Sequence, residues 1–200
     1  QREGAPIVGS HAAPLLVCRM ALTATISTFD IALSDVDRHV YEQLSLKVAQ
    51  HPSETDEYLW TRVLAYCLEY REGIAFSKGG ISDAEEPAIT VRDLTGALTH
   101  WIEIGAPDAA RLHKASKASP RVAVYTHREP RILLRGYEGA RIHRSDAIEL
   151  YAFDRHFLES LVGRSGRRVK CALSVTERQL YLEISGTTLE GSVERHALPL

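Results

Sequence analysis

The sequence predicts a mixed α/β domain: a central sheet with two helices packed on it and a hairpin at the C-terminal end. Three observations carry that reading. Apolar residues alternate with polar ones in short runs throughout the chain, the period of half-buried strands. Two stretches, 53–71 and 107–118, break that alternation and read as helices. Turn-forming residues such as Asp93-Leu94-Thr95-Gly96 separate the runs at hairpin spacing. The chain has 200 residues, 44% hydrophobic and 25% charged, the balance of one ordinary globular domain with a core of its own.

Residues 1–19 show neither period and include Gly4, Pro6, Gly9 and Pro14. They read as a leader or tag-like extension outside the fold, with Met20 as a natural start and residues 20–200 as the single domain. Leu22, Ala24 and Ile26 alternate, and Phe29, Ile31 and Leu33 then alternate in the opposite phase. That slip predicts a β-bulge or bend near Ser27-Thr28. Val40, Leu44, Leu46 and Val48 continue as a second strand. Ser53 is placed to cap the first helix, with Asp56 three residues on as its capping-box partner. Leu59, Trp60, Val63, Leu64, Cys67 and Leu68 form its apolar stripe, and Gly73 stops it after Arg71.

Ile74-Ala75-Phe76 is a short strand and Lys78-Gly79-Gly80 a loop. Ala88–Arg92 and Ala97–Ile104 read as an antiparallel pair across the Asp93–Gly96 turn. The second helix runs from about Pro107 to Ala118, with Pro120 beyond it. A strand at Val122–Tyr125, a short helix at 130–137 and a strand at 146–153 follow. Asp154 caps another helix that Gly163 closes. Val169–Val175 and Leu180–Ile184 form the C-terminal hairpin, and Thr187–Leu200 is only weakly patterned.

Cys18, Cys67 and Cys171 have no metal-ligand spacing, and Cys67 and Cys171 read as small core residues; a reducing, cytoplasmic setting fits them. No apolar run is long enough to span a membrane. The nine histidines form no zinc motif, and there is no nucleophile elbow, Walker loop or dinucleotide fingerprint. The net charge of −2 hides a segregation: residues 20–110 hold 6 Lys/Arg against 15 Asp/Glu, and residues 111–170 hold 14 against 6. Such blocks suit a metal-assisted enzyme acting on a polyanion, and equally a domain that neutralises itself.

The chemistry centres on Trp101-Ile102-Glu103-Ile104-Gly105-Ala106-Pro107-Asp108. A carboxylate inside a strand is costly to bury without a cation or a metal, so Glu103 either meets one or points to solvent. Glu86 stands just before the preceding strand and Glu54 at the start of the first helix. Mg²⁺ takes oxygen ligands of this kind together with water and substrate phosphate, and could activate water against a phosphodiester. Read alone, Glu54 could equally serve the helix dipole.

From Met20 onward the chain resembles the YaeQ family. The resemblance rests on Met20-Ala21-Leu22, His51-Pro52-Ser53-Glu54-Thr55, Glu86-Pro87 and the 101–108 stretch, in that order. It implies a variant of the PD-(D/E)XK nuclease core with added N-terminal strands and a C-terminal hairpin. By that analogy Glu86 and Glu103 would bind Mg²⁺, Glu54 would be the helix acid, and the lysine due at position 105 is replaced by Gly105. Lys114 is then the candidate catalytic lysine, with Arg111 second; the spacing fits Lys114 equally well to a solvated basic face with Arg111 and Lys117. The implied function is a metal-dependent nuclease acting on nucleic acid. The alternative is a non-catalytic module that binds nucleic acid or protein through the 111–170 basic region, with a proposed link to transcription elongation.

Overall fold

The computed structural model describes residues 24–77 and 86–199, so the 1–19 extension, Leu22 and the 78–80 loop lie outside the described residues. The strands are β1 (Thr25–Asp35), β2 (Val40–Gln50), β3 (Ile74–Phe76), β4 (Ile89–Arg92) and β5 (Leu98–Ile104). They continue as β6 (Arg121–Thr126), β7 (Ile148–Phe153), β8 (Arg168–Thr176), β9 (Gln179–Ile184) and β10 (Thr187–His196). The helices are α1 (Asp56–Leu68), α2 (Ala109–Ala118), α3 (Pro130–Tyr137) and α4 (Arg155–Leu161). All ten strands join one mixed sheet in the order β2-β1-β8-β9-β10-β7-β6-β5-β4-β3.

The β1–β2 register runs unbroken from Thr25 opposite Gln50 to Asp35 opposite Val40. This corrects the expected bulge at Ser27-Thr28. Ser27, Phe29, Ile31, Leu33 and Asp35 all face inward, while Ile26 lies on the solvent face, 64% exposed. Ile26 on the solvent face, in step with Ala24 before the strand, had imitated a change of phase. The weakly patterned C-terminal stretch is a strand, β10, paired with both β9 and β7. Its alternation is blurred because Gly191 leaves room for a neighbour: a Cβ there would lie 2.3 Å from Cγ of Phe157 on α4. The expected C-terminal hairpin is present as β8–β9, and β8 also pairs in parallel with β1.

The first helix starts later than Ser53. The Ser53 backbone N–H donates to the ring of His51, and the Thr55 hydroxyl accepts from the Tyr58 N–H as the cap. Asp56 is no capping-box partner; its carboxylate accepts from the Gly163 N–H and the Ser165 hydroxyl, tying α1 to the loop after α4. The helix ends at Leu68, before Arg71. Leu59, Trp60, Thr61, Val63, Leu64, Ala65 and Cys67 are all buried, so α1 is covered on nearly every side. A helix covered all round is interior. Here the sheet curls about it: Phe29 of β1 meets Trp60 edge to face, with ring centroids 5.2 Å apart.

The curl is nearly complete. Arg62 of α1 donates to the Ala49 carbonyl of β2 at 2.7 Å and lies 5.9 Å from the Phe76 ring of β3. Those two strands are the two edges of the sheet. The mixed α/β class is as expected, but the central sheet is barrel-like and curls around α1, where the sequence suggested a sheet with both helices packed on it. A second core lies outside the barrel, where Trp101, Val122, Val124, Ile148 and Leu150 of β5–β7 pack with Leu112 and Ala115 of α2 and Leu133 and Tyr137 of α3.

Candidate functional site

Strand β5 sends Ile102 and Ile104 into the barrel core and Trp101 into the outer core, and alternation places Glu103 on the outer side with Trp101. Gly105 ends the strand with φ +89°, a left-handed conformation in which a lysine would be strained. Its N–H donates to the Tyr125 carbonyl of β6. Asp108 then caps α2 by accepting from the Arg111 N–H at 2.7 Å, which fixes the first turn of α2 beside β5.

From that turn the Arg111 side chain reaches back to Glu103. Glu103 is 4% exposed, and one of its oxygens accepts from Arg111 Nε at 2.6 Å and from the Trp101 indole N–H at 2.5 Å. The same guanidinium donates to the Glu86 backbone carbonyl at 2.8 Å. The structure thus brings Glu103 and the Glu86 main chain together, as the antiparallel β4–β5 return requires, with an arginine between them. Burial pushes the Glu103 carboxyl above its ordinary value, against the pull of Arg111 and Trp101. Lys114 lies one turn further along α2, half-buried; the cation on Glu103 is Arg111.

Glu54 occupies a separate pair inside the barrel. It precedes the helix, and its carboxylate meets Arg62 at 3.0 Å with both side chains buried. Burial again pushes this carboxyl upward, with Arg62 and the His51 backbone opposing. Tyr58 stands between the two pairs: Arg62 lies 5.8 Å from its ring, and the charges of Glu54, Glu103, Arg62 and Arg111 all act on its hydroxyl. Burial pushes that phenol up to about 12. His127 packs edge-on against Tyr58 at 6.1 Å, and burial lowers its imidazole, whose Nδ1 has no hydrogen-bond partner among the described residues.

Mg²⁺ demands an octahedron of oxygens at about 2.0–2.1 Å. Glu103 already takes two N–H donors, and a divalent ion beside it would face the Arg111 charge. Among the described residues no group of three His, Cys, Asp or Glu side chains is placed to hold a metal. As placed, the donor set is that of an ion pair and does not fit Mg²⁺. Sequence reasoning missed Arg62 and Tyr58. The one legible signal was a charged residue, Arg62, beside the apolar stripe of a helix.

The charge segregation is partly internal. Arg111 pairs with Glu103, Arg121 with Glu69 at 2.6 Å, and Arg168 with Asp30 at 2.7 Å, joining the basic block to the acidic one. Arg144 donates to the Ser116 and Ser119 carbonyls at the end of α2. What remains is a basic outer face. Arg128, Arg131, Arg135 and Arg141 are exposed and have no ion pair among the described residues. Arg131 and Arg135 lie one turn apart on α3, beside Ile132, itself 68% exposed. No helix among the described residues is long and apolar enough to cross a membrane.

The family model described as YaeQ protein matches residues 20–193. The Escherichia coli (strain K12) protein named "Uncharacterized protein YaeQ" is 37% identical over 108 residues, which cover 54% of this chain and 59% of that protein. A Salmonella typhi protein of the same name is 35% identical over the same length. The chain therefore aligns with about three-fifths of the curated relatives it matches. Two crystal structures agree over more of their length. The YaeQ protein from Pseudomonas syringae has a TM-score of 0.76 at 30% identity, covering 86% of this chain and 95% of that one. The YaeQ protein from Xanthomonas axonopodis pv. citri has a TM-score of 0.79 at 28% identity, covering 88% of this chain and 100% of that one. With a family model matched over residues 20–193 and the same fold in two YaeQ crystal structures, this chain belongs to the YaeQ family.

Proposed function

We propose that this chain is a nucleic-acid-binding module on a PD-(D/E)XK-like scaffold, in which an arginine stands where the catalytic metal would. The element order α1-β3-β4-β5-α2-β6 supports the scaffold: β3, β4 and β5 are antiparallel, then β5, β6 and β7 parallel, with α1 and α2 on opposite faces. The observation that carries the functional reading is Arg111 bridging the Glu103 carboxylate and the Glu86 carbonyl. By the family analogy those two residues flank the metal, and a guanidinium between them supplies positive charge without activating water. Binding is then left to the basic outer face, whose exposed arginines suit phosphate oxygens.

The test is titration of labelled duplex and single-stranded DNA and RNA at several salt concentrations, with and without Mg²⁺ or Mn²⁺. Affinity should fall by about 0.9 log units per log unit of salt for each duplex phosphate contacted. Replacing both Arg131 and Arg135 with Gln should flatten that slope by roughly two contacts while leaving the fold intact. No cleavage is expected. Absence of binding at low salt overturns the proposal. Mg²⁺-dependent cleavage that disappears in Glu103→Gln overturns it in favour of a phosphodiesterase using Glu86, Glu103, Glu54 and Lys114.

A further inference from the structure

On the side of the barrel where β7, β10 and the β8–β9 turn meet, a surface cavity of about 500 Å³ is lined by Asp146, Ile148, Arg178, Arg195, His196 and Ala197. We infer that this cavity binds a phosphomonoester of mononucleotide size, an inference independent of the function proposed for the α3 face. Three observations carry it.

First, two guanidiniums line one cavity and neither is tightly paired. Arg178 has no ion pair among the described residues. Arg195 lies 3.6 Å from Glu149, a carboxylate that Arg121 holds at 2.6 Å. Forked N–H donors of this kind match the oxygens of a phosphate. Second, His196 lines the same cavity, and its Nε2 makes no hydrogen bond among the described residues, with the Glu194 carboxylate 3.8 Å away. A third residue with N–H donors thus lines the cavity beside the two arginines.

Third, Arg178 is held at a strained backbone position. Glu177 and Arg178 both have positive φ, +51° and +62°, in a two-residue hairpin turn where Asn-Gly is the unstrained choice. The turn is pinned nonetheless: Asp37 accepts from both N–H groups at 2.7 and 3.0 Å, and the Arg178 carbonyl accepts from Val193 N–H at 3.1 Å. The strain presents one particular side chain to the cavity. The volume falls in the range of small-molecule sites, about 300–1,000 Å³, and exceeds what a bare phosphate fills. Ile148 and Ala197 supply apolar wall, and Asp146 is suited to accept from a ligand hydroxyl or amino group.

Three probes test this by calorimetry: inorganic phosphate, adenosine 5′-monophosphate, and a short oligonucleotide with and without a 5′-phosphate. The nucleotide should bind saturably and at least tenfold more tightly than phosphate. If the natural source is a nucleic-acid end, the 5′-phosphorylated oligonucleotide should exceed both its 5′-hydroxyl form and the free nucleotide; if it is a free metabolite, the nucleotide should win. Arg178→Gly is the decisive variant, because glycine relieves the positive φ. It should raise the melting temperature while weakening nucleotide binding at least tenfold, and Arg195→Gln should weaken binding similarly. Binding of the nucleotide that is absent at millimolar concentration, or unchanged in both variants, overturns the inference. The Arg131/Arg135 double variant should leave adenosine 5′-monophosphate binding unchanged, so the two proposals fail separately.

Discussion

Glu103 combines two demands that single substitutions can separate: a charge partner for Arg111 and an acceptor for the Trp101 indole. Glutamine keeps an acceptor oxygen and the shape, whereas alanine leaves both donors unsatisfied in a buried site. Glu103→Ala should therefore cost about 1–3 kcal/mol, read from chemical denaturation. Glu103→Gln should be close to neutral near pH 7, because burial already disfavours the ionised acid. The pH dependence has a defined sign. A carboxyl raised in the folded state takes up its proton before the unfolded chain does, so wild type gains on Glu103→Gln as pH falls through the raised value. The gain is complete below the ordinary carboxylate range and is lost as pH rises. A wild-type advantage that shrinks on acidification would contradict this balance of burial over pairing. The anomaly itself was legible in the sequence as a carboxylate within an apolar strand. Its partner was not, because α2 offers Arg111, Lys114 and Lys117, and only the turn at Gly105 and the Asp108 cap decide which one reaches back.

At the scale of elements, local grammar was read well where one residue type had one role. The β4–β5 hairpin follows its Asp93–Gly96 turn: the Asp93 carboxylate accepts from the Thr95 and Ala97 N–H groups. The α2 helix ends at Ala118 as its pattern indicates, although it starts after the Asp108 cap and not at Pro107. The start of α1 was misread because three capping types, Ser53, Thr55 and Asp56, stand within four residues, and His51 diverts the first of them. The consequence is measurable: Thr55→Ala should lower stability by about 1 kcal/mol, and Ser53→Ala should leave the thermal melt almost unchanged. Equal losses from both would mean that the helix starts earlier. Strand β10 escaped notice for a different reason. Its inward positions include a glycine that makes room for Phe157, so the hydrophobic signal of the strand is carried by a residue of another element.

For the whole molecule, period-two patterning told which residues face inward but not which strands meet. The barrel depends on pairings between distant segments and on a seam that Arg62 spans. Arg62 touches β2, β3 and Glu54 at once, and its side chain and that of Glu54 are almost wholly buried. Arg62→Ala leaves a buried carboxylate without its cation, which should cost about 3–5 kcal/mol. Hydrogen exchange should speed up most in β2 and β3, the edges that the arginine draws together. Uniform acceleration across all strands would show that the seam is not a separate weak point.

The parallel β1–β8 pairing also has a consequence for how the protein is made. It places Thr28 beside Arg168 and Asp35 beside Val175, partners 140 residues apart along the chain. At about 5–20 residues per second, ribosomal synthesis leaves roughly 7–28 s between the emergence of β1 and that of its partner. During that interval the β1–β2 hairpin presents an open row of backbone N–H and C=O groups and a bare inner face of Phe29, Ile31 and Leu33. The finished barrel hides both. The nascent chain therefore carries this liability to misassociation until β8 emerges, when about five-sixths of the 200 residues have been made.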